Sequence, residues 1–260
     1  MSESISTTPG EAPTSPGIRD YWAARGKSSF WVTEYFGYSI GSVLAPGCHK
    51  AGLSPNTVTV LGFLVAVVAV AVAGHGVIPA GALSGIFLGG MLLISFGLDC
   101  ADGTLARITG QCSPFGMLWD KFIDLLSLFV IAGGLGVAAR DTPPEVAFLA
   151  GHWEVAFPLL MIWSLAPKAL FAVFGWLKDQ ELHGLSRSRG AEVLTPARRL
   201  RRVAGNVIDE PSFRIGLGIA WGTGLYWEFV LVYNSLIALL LVGYVADTWR
   251  LMKAPSAGTD

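Results

Sequence analysis

The middle of the 260-residue chain contains four aspartates at two helical spacings, namely Asp99, Asp102, Asp120 and Asp124. Residues three or four apart on a helix share a face, so the two carboxylates of each pair point in one direction. Gly110 and Pro114 lie between the pairs and predict a short connection between two antiparallel helices. The four carboxylates can therefore converge on one site.

Four unpaired carboxylates in one place repel one another and resist ionisation, and divalent cations remove that conflict. Oxygen ligands without His or Cys are typical of Mg²⁺ or Mn²⁺ sites. Two such ions can clamp the attacking and leaving oxygens in phosphoryl chemistry, so we predict that the four aspartates hold two ions. The simpler alternative is a set of interfacial carboxylates paired with Arg107 and Lys121. Four carboxylates at this spacing favour a metal site, because ionisable groups at membrane depth are usually functional.

Small and basic residues beside the aspartates suit a phosphorylated substrate. Gly103 and Gly116 leave room for a phosphate or a sugar to approach the backbone. Arg107 offers a fork of N–H groups that fits phosphate oxygens. Arg214, at the start of a later apolar segment, is predicted to bind a phosphate of an acceptor molecule.

The composition indicates that these residues belong to a membrane protein. Hydrophobic residues make up 52% of the chain and charged residues 14%, and the mean hydropathy is +0.54. Soluble domains carry about 25% charged residues, which argues against an ordinary cytosolic enzyme. Residues 51–98 contain no Lys, Arg, Asp or Glu, and this length accommodates two membrane spans of about 20 residues each.

The apolar segments predict an all-α polytopic protein with six transmembrane helices. The predicted spans cover about residues 54–74, 82–98, 115–139, 155–176, 213–226 and 229–247. Gly218 and Gly222 in the fifth span permit close contact with another helix. Aromatic rings and cations in residues 18–50 predict an amphipathic helix lying on the membrane surface, with a partly inserted span as the alternative. Residues 1–17 are predicted to be a disordered tail, residues 51–250 the six-span domain and residues 251–260 a second tail.

The distribution of cations predicts the orientation. With six spans, 16 of the 18 Lys and Arg residues fall on one side of the membrane, which we assign as cytoplasmic. Arg140 falls on the other side, and Lys168 lies inside the fourth span, where it needs a partner or a water-filled cavity. The arginines of the connection at residues 187–202 are predicted to face anionic lipid.

The stretch from Asp99 to Asp124 reads D-x2-D-G-x2-A-R-x8-G-x3-D-x3-D. This pattern resembles the signature of the CDP-alcohol phosphotransferase family, as do the six spans and the Pro55-Asn56 entry to the first span. The resemblance implies transfer of a phosphoalcohol from a CDP-alcohol to an acceptor hydroxyl, with release of CMP. It also implies a homodimer.

The resemblance further assigns roles to individual residues. Asp99, Asp102 and Asp120 would hold the metal pair. Asp124 would lie close to the second ion and act as the general base. The nucleotide and diphosphate site would be lined by four residues, namely Gly103, Ala106, Arg107 and Gly116.

We therefore expect a phospholipid-forming enzyme of the bacterial cell membrane, with CDP-diacylglycerol as donor and a small polar alcohol as acceptor. Inositol phosphate, glycerol phosphate, serine and other alcohols all remain open as acceptors. A metal-dependent intramembrane prenyltransferase is one alternative, which would release pyrophosphate instead of CMP. A carboxylate-lined divalent cation transporter is another, and it predicts a site near the membrane midplane.

Overall fold

The structure is a computed structural model, which describes residues 16–26, 31–188 and 209–253. The described part of the chain is helical. The N-terminal part contains helix α1 (Ile18–Ala23), a π-helical turn (Thr33–Gly37) and helix α2 (Tyr38–Lys50). The predicted surface helix is thus divided into separate pieces, and its location at the membrane surface remains a prediction.

The remaining helices form the body of the protein. They are α3 (Pro55–Gly74), α4 (Ala82–Thr109), α5 (Pro114–Leu128), α6 (Gly134–Ala138), α7 (Ala147–Gly151), α8 (Trp153–Ser188), α9 (Glu210–Thr223) and α10 (Tyr226–Lys253). A π-helical turn joins α5 to α6, so that Pro114–Ala138 is one continuous apolar helical segment.

Five described helical segments are long and apolar enough to cross a membrane: Pro55–Gly74, Ala82–Thr109, Pro114–Ala138, Trp153–Gly175 and Tyr226–Ala246. They confirm the all-α membrane class and correspond to the first four predicted spans and the last one. The fifth predicted span corresponds to α9, which has 14 residues against the roughly 20 that a span needs. The total of six spans therefore stays a prediction.

Several predicted boundaries differ from the structure. Helix α8 continues past the predicted end at Trp176 to Ser188, so the first part of the predicted charged connection is helical. Helix α4 continues past Leu98 to Thr109, because the polar residues after Leu98 keep helical geometry until Gly110 adopts a left-handed conformation. Helix α10 continues to Lys253, so the predicted C-terminal tail begins within a helix. Residues 1–15, 189–208 and 254–260, which include most of the predicted tails and of the basic connection, lie outside the described residues.

Helix α4 is the centre of the fold, with α2, α3 and α9 packed around it. Gly218 and Gly222 on α9 meet Gly85 and Gly89 on α4, which confirms the predicted close helix contact. A Cβ atom built on Gly218 would lie 2.7 Å from the Cα of Gly89. The Trp221 indole donates a hydrogen bond to Ser84 near the start of α4, so α9 runs antiparallel to α4.

The main apolar core lies where α3, α4, α9 and α10 meet the segment of α5 and α6. Its fully buried members include Leu88, Leu92, Ile131, Leu217 and Trp227. Burial of one such side chain contributes about 1.5–3 kcal/mol in water, whereas packing and hydrogen bonds stabilise helix contacts within a bilayer. This packing holds the polar end of α4 next to α5.

Candidate active site

The two halves of the aspartate motif lie on α4 and α5. Helix α4 ends at Gly110 (φ 66°), and α5 begins at Pro114 after Ser113, whose hydroxyl accepts a hydrogen bond from the Gly116 amide. The N-terminal cap and the proline fix the start of α5 only a few residues after α4 ends. The predicted short connection between the two aspartate-bearing helices is therefore present.

Asp99, Asp120 and Asp124 converge between these helices. Each offers one carboxylate oxygen, and the three oxygens lie within 4.8 Å of one another. Hard divalent cations take such oxygen ligands, so the donor set fits a metal ion.

Asp102 lies outside this group of three, although it lines the same cleft. Its side chain is 7% exposed, and its Oδ2 accepts a hydrogen bond from the hydroxyl of Thr59 on α3. Three of the four predicted metal ligands therefore lie together, and the fourth, Asp102, is hydrogen-bonded to the neighbouring helix α3.

Lys121 contacts two of the three converging carboxylates. Its Nζ lies 3.0 Å from Asp120 Oδ2 and 2.7 Å from Asp124 Oδ2. The lysine side chain is about half exposed, so this pairing is expected to contribute little to stability. Its effect is to place a positive charge beside the carboxylate that we predict to be the general base.

A cleft of about 820 Å³ opens over the carboxylates. Of the predicted nucleotide-site residues, Gly103 and Arg107 line the cleft, whereas Ala106 and Gly116 lie outside its lining. A Cβ atom on Gly116 would come within 3.2 Å of Ser113 Oγ, which relates this glycine to the tight start of α5. The assignment of these residues to a nucleotide remains a prediction.

Arg107 projects from the last turns of α4 toward the N-terminal segment. Its Nε donates a hydrogen bond to the backbone carbonyl of Ala24. A Cβ atom on Gly103 would lie 3.4 Å from Arg107 Nη1, so position 103 lies directly beside the guanidinium group. The absence of a side chain there leaves the guanidinium room beside the cleft.

A second charged cluster lines the cleft at the start of α9. Glu210 pairs with Lys168 (Nζ–Oε2 2.9 Å) and with Arg214 (Nε–Oε1 3.1 Å). Arg214 is 5% exposed, and its Nη1 also donates to the Leu92 carbonyl (2.7 Å) and to Ser95 Oγ (3.1 Å). Lys168 has the partner that its position inside a span requires.

The N-terminal segment closes one side of this cluster. The amide and hydroxyl of Thr33 both donate to Oδ2 of Asp209, and Oδ1 of Asp209 accepts from the Glu210 amide at the start of α9. Burial raises the pKa of Asp209, and its hydrogen bonds from Thr33 and Glu210 oppose that rise. Burial also raises the pKa of Tyr38, which lines the same cleft.

Sequence reasoning did not identify the roles of Thr59, Thr33, Asp209 and Glu210. Each contacts a residue far away in the chain, such as Asp102 for Thr59 and Asp209 for Thr33. The intramembrane position of Lys168 was the available signal, because a lysine there requires an acidic partner.

Comparison with known proteins relates the aspartate-bearing part of the chain to a known family. The sequence model of the CDP-alcohol phosphatidyltransferase family matches residues 53–179, which include all four aspartates. These residues form a CDP-alcohol phosphatidyltransferase domain. The predicted resemblance is therefore confirmed for the part of the chain that carries the motif.

Relatives of this domain include enzymes of lipid synthesis. The chain is 40% identical over 101 residues to the archaetidylinositol phosphate synthase of Pyrococcus horikoshii, covering 37% of this chain and 48% of that protein. It is 29% identical over 184 residues to the phosphatidylinositol phosphate synthase of Mycobacteroides abscessus, covering 70% and 72% respectively. Human cholinephosphotransferase 1 is 38% identical over 74 residues, covering 24% and 18%. The matched region thus spans about half the length of the first of these relatives.

The fold also resembles a solved structure. The crystal structure of Mycobacterium tuberculosis phosphatidylinositol phosphate synthase with CDP-DAG bound matches with a TM-score of 0.53 and 19% sequence identity. The match covers 85% of this chain and 100% of the other. At this identity the likeness establishes a shared fold, which agrees with the helical membrane architecture described above.

Proposed function

We propose that the protein transfers a phosphatidyl group from a CDP-alcohol, CDP-diacylglycerol, to the hydroxyl of a small polar alcohol and releases CMP. The observation that carries this proposal is the convergence of Asp99, Asp120 and Asp124 within a CDP-alcohol phosphatidyltransferase domain. The relatives named as phosphatidylinositol phosphate synthase and cholinephosphotransferase support the reaction class. The Mycobacterium tuberculosis structure, which has CDP-DAG bound, supports the donor.

The proposal includes two divalent ions, Mg²⁺ or Mn²⁺. Asp99, Asp102, Asp120 and Asp124 are the proposed ligands, because all four line the cleft and offer only oxygen. When bound, the ions supply positive charge that stabilises the attacking and leaving oxygens of the phosphoryl group.

Asp124 is the proposed general base. It accepts the proton of the acceptor hydroxyl while the hydroxyl oxygen forms a bond to the phosphorus that carries the lipid. The bond between that phosphorus and the bridging oxygen of the diphosphate breaks, and CMP leaves with the bridging oxygen. The half-exposed position of Asp124 beside Lys121 gives an acceptor access to the carboxylate.

The nucleotide and the acceptor are proposed to bind to different residues of the cleft. Gly103, Ala106, Arg107 and Gly116 are proposed to hold the nucleotide and diphosphate. Arg214 is proposed to bind a phosphate on the acceptor, together with Lys168, because both cations line the cleft beside Glu210. Two relatives are named as phosphate synthases, which supports a phosphorylated acceptor.

We further propose that the protein lies in a bacterial cell membrane with six spans, with the site and both termini on the cytoplasmic side. The concentration of 16 of the 18 cations on that side supports this orientation. A homodimer is proposed from the family resemblance, and cross-linking of the purified protein in detergent tests it.

The decisive experiment is a transfer assay. Purified protein is incubated with Mg²⁺ or Mn²⁺, CDP-diacylglycerol and a panel of phosphorylated and unphosphorylated alcohols, and CMP is measured. We expect CMP with at least one acceptor, none in EDTA and recovery with Mg²⁺ or Mn²⁺ but not with Ca²⁺, whose longer and looser coordination suits this site poorly. Full activity in EDTA contradicts the metal assignment, and pyrophosphate in place of CMP contradicts the reaction.

A further inference from the structure

Asp102 is hydrogen-bonded to a residue of the neighbouring helix α3. The hydroxyl of Thr59 on α3 donates to Oδ2 of Asp102, 43 residues further along the chain. Both side chains are buried, with exposures of 5% for Thr59 and 7% for Asp102. A buried carboxylate is costly unless hydrogen bonds compensate for lost water, so this bond is a strong constraint on its position.

The Thr59 hydroxyl has one proton and two acceptors close by. The second is the carbonyl of Pro55, one turn earlier on α3, at 3.1 Å. A threonine within a helix ordinarily gives its proton to such a carbonyl. Here the Asp102 carboxylate is another acceptor for the same hydroxyl, and a hydrogen bond to an ionised acceptor is roughly twice as strong as one to a neutral acceptor.

The bond has a consequence for the geometry of the site. The hydrogen bond from Thr59 to Oδ2 restricts the rotation of the Asp102 carboxylate, and Oδ1 is the oxygen that Thr59 does not contact. This agrees with the separation of Asp102 from the compact group of Asp99, Asp120 and Asp124. The position of Thr59 is also fixed, because the Ser54 hydroxyl caps α3 and Pro55 begins its first turn.

We propose that Thr59 is a positioning residue of the metal site, which holds Asp102 as a ligand through a single oxygen. The inference rests on the proposed function for the presence of a divalent ion, and it adds a contribution from α3 to a site whose proposed ligands lie on α4 and α5. Loss of a hydrogen bond that orients a metal ligand typically weakens metal binding about 10–100-fold.

Mn²⁺ binding to the purified full-length chain tests the proposal, measured by electron paramagnetic resonance without donor or acceptor. Thr59→Val removes the hydroxyl and nearly keeps the volume, and we expect it to weaken Mn²⁺ binding about 10-fold or more. Thr59→Ser restores the donor and should bind Mn²⁺ within about twofold of the wild type. If the valine variant does not fold, Thr59→Ala takes its place against the serine variant.

Thr104 provides a matched control on α4. It is fully buried, and its hydroxyl donates to the Cys100 carbonyl at 3.0 Å. Thr104→Val is therefore expected to lower thermal stability as Thr59→Val does, while Mn²⁺ affinity stays at the wild-type value. An equal loss of Mn²⁺ affinity in both valine variants would show a structural role only and overturn the proposal.

A double-mutant cycle separates positioning from general damage. With Asp102→Asn in place, Thr59→Val should cause little further loss of Mn²⁺ affinity, because the group that Thr59 positions is already altered. Additive losses, or a wild-type affinity in Thr59→Val alone, contradict the proposal. Absence of CMP release with the expected Mn²⁺ results would instead refute the proposed function and leave this inference standing.

Discussion

At the scale of single residues, the site separates into a compact group of carboxylates and an isolated one. Asp99, Asp120 and Asp124 share a small volume, whereas Asp102 is bonded to Thr59. Asp124 lies 2.7 Å from Lys121 Nζ, closer than Asp120 does, and its side chain is 41% exposed against 29% for Asp120. These differences in surroundings predict different consequences for the same substitution at different positions.

Asp124→Asn is expected to separate catalysis from binding. The amide keeps the shape and an oxygen ligand but cannot accept a proton, so CMP release should fall about 10²–10⁴-fold. Affinity for CDP, measured by titration calorimetry in Mg²⁺, should change far less. Asp102→Asn should instead remove both nucleotide binding and turnover, because the diphosphate is proposed to bind through the metal ions.

The control for both aspartates is Asp141→Asn, which changes an exposed carboxylate in the turn after α6. It should leave CMP release and CDP affinity unchanged. Near wild-type turnover in Asp124→Asn would show that Asp124 is not the base. Normal nucleotide binding in Asp102→Asn would contradict its assignment as a metal ligand.

Arg214→Lys tests the acceptor side of the cleft. The lysine keeps the charge beside Glu210 but loses the planar fork, which is the feature suited to phosphate. We expect a higher apparent KM for a phosphorylated acceptor and an unchanged affinity for CDP. An unchanged KM for that acceptor would restrict Arg214 to its buried contacts with Leu92 and Ser95.

Sequence spacing predicted the convergence of three of the four aspartates, and the separate position of Asp102 has a physical reason. Spacing along a helix determines which side chains share a face, and this brings Asp120 and Asp124 toward Asp99. It does not determine which acceptor a distant hydroxyl will choose, so the bond from Thr59 to Asp102 could not be anticipated. The partners of Lys168 and Arg214 depend in the same way on the packing of α9 against α4.

At the scale of helices, the contact between α4 and α9 depends on the absence of side chains. A Cβ atom on Gly85 would lie 2.8 Å from the Cα of Gly222 and would also overlap the carbonyl of Gly218. A Cβ atom on Gly90, on the same helix, meets nothing within 4 Å. The two glycines therefore form a matched pair for mutagenesis.

Gly85→Ala is expected to force α9 away from α4 and to destabilise the protein by about 1–3 kcal/mol, the usual cost of overpacking. Gly90→Ala should be neutral or slightly stabilising, because alanine favours helix by up to about 1 kcal/mol over glycine. Thermal unfolding of both variants in the same detergent measures the difference. Equal melting temperatures would show that α4 and α9 are not in close contact.

Hydropathy located the apolar helices well and their ends poorly. The apolar run of α4 ends near Leu98, but the backbone continues as a helix to Thr109 because nothing before Gly110 interrupts its hydrogen bonds. Helix α9 begins and ends three residues earlier than its predicted span of 213–226, because Asp209 caps its start and Gly224 ends it in a left-handed conformation. The hydropathy of a window of residues indicates how favourably they transfer into lipid, and it does not indicate where a helix is capped.

At the scale of the whole molecule, the proposed orientation places the turn near Thr142 outside the cell and the end of α8 inside. Of the described cysteines, Cys48 and Cys100 are buried and Cys112 is exposed, so Cys112→Ser gives a suitable background. In intact cells, a cysteine at position 142 should react with an impermeant maleimide. A cysteine at position 188 should react only after permeabilisation.

The reverse labelling pattern would invert the topology and place the site away from cytosolic CDP-alcohols. Labelling at both positions in intact cells would contradict the single span predicted between positions 142 and 188. A cysteine at position 141 serves as a second reporter of the same turn.

The cleft is lined by both charged and apolar side chains, and this affects how the rate of the enzyme should be measured. Beside the carboxylates, it is lined by apolar side chains that include Phe122 on α5 and Val173 on α8, both partly exposed. A donor with its head group at the aspartates and its acyl chains along these residues would reach the site by diffusion in the plane of the bilayer. The rate then depends on the number of donor molecules per unit of membrane area, whereas for the acceptor it depends on the ordinary concentration in water.

In mixed micelles, added inert detergent should lower the rate at constant bulk CDP-diacylglycerol, and restoring the mole fraction of donor should restore it. A rate that depends only on bulk donor concentration would show that the lipid arrives through water.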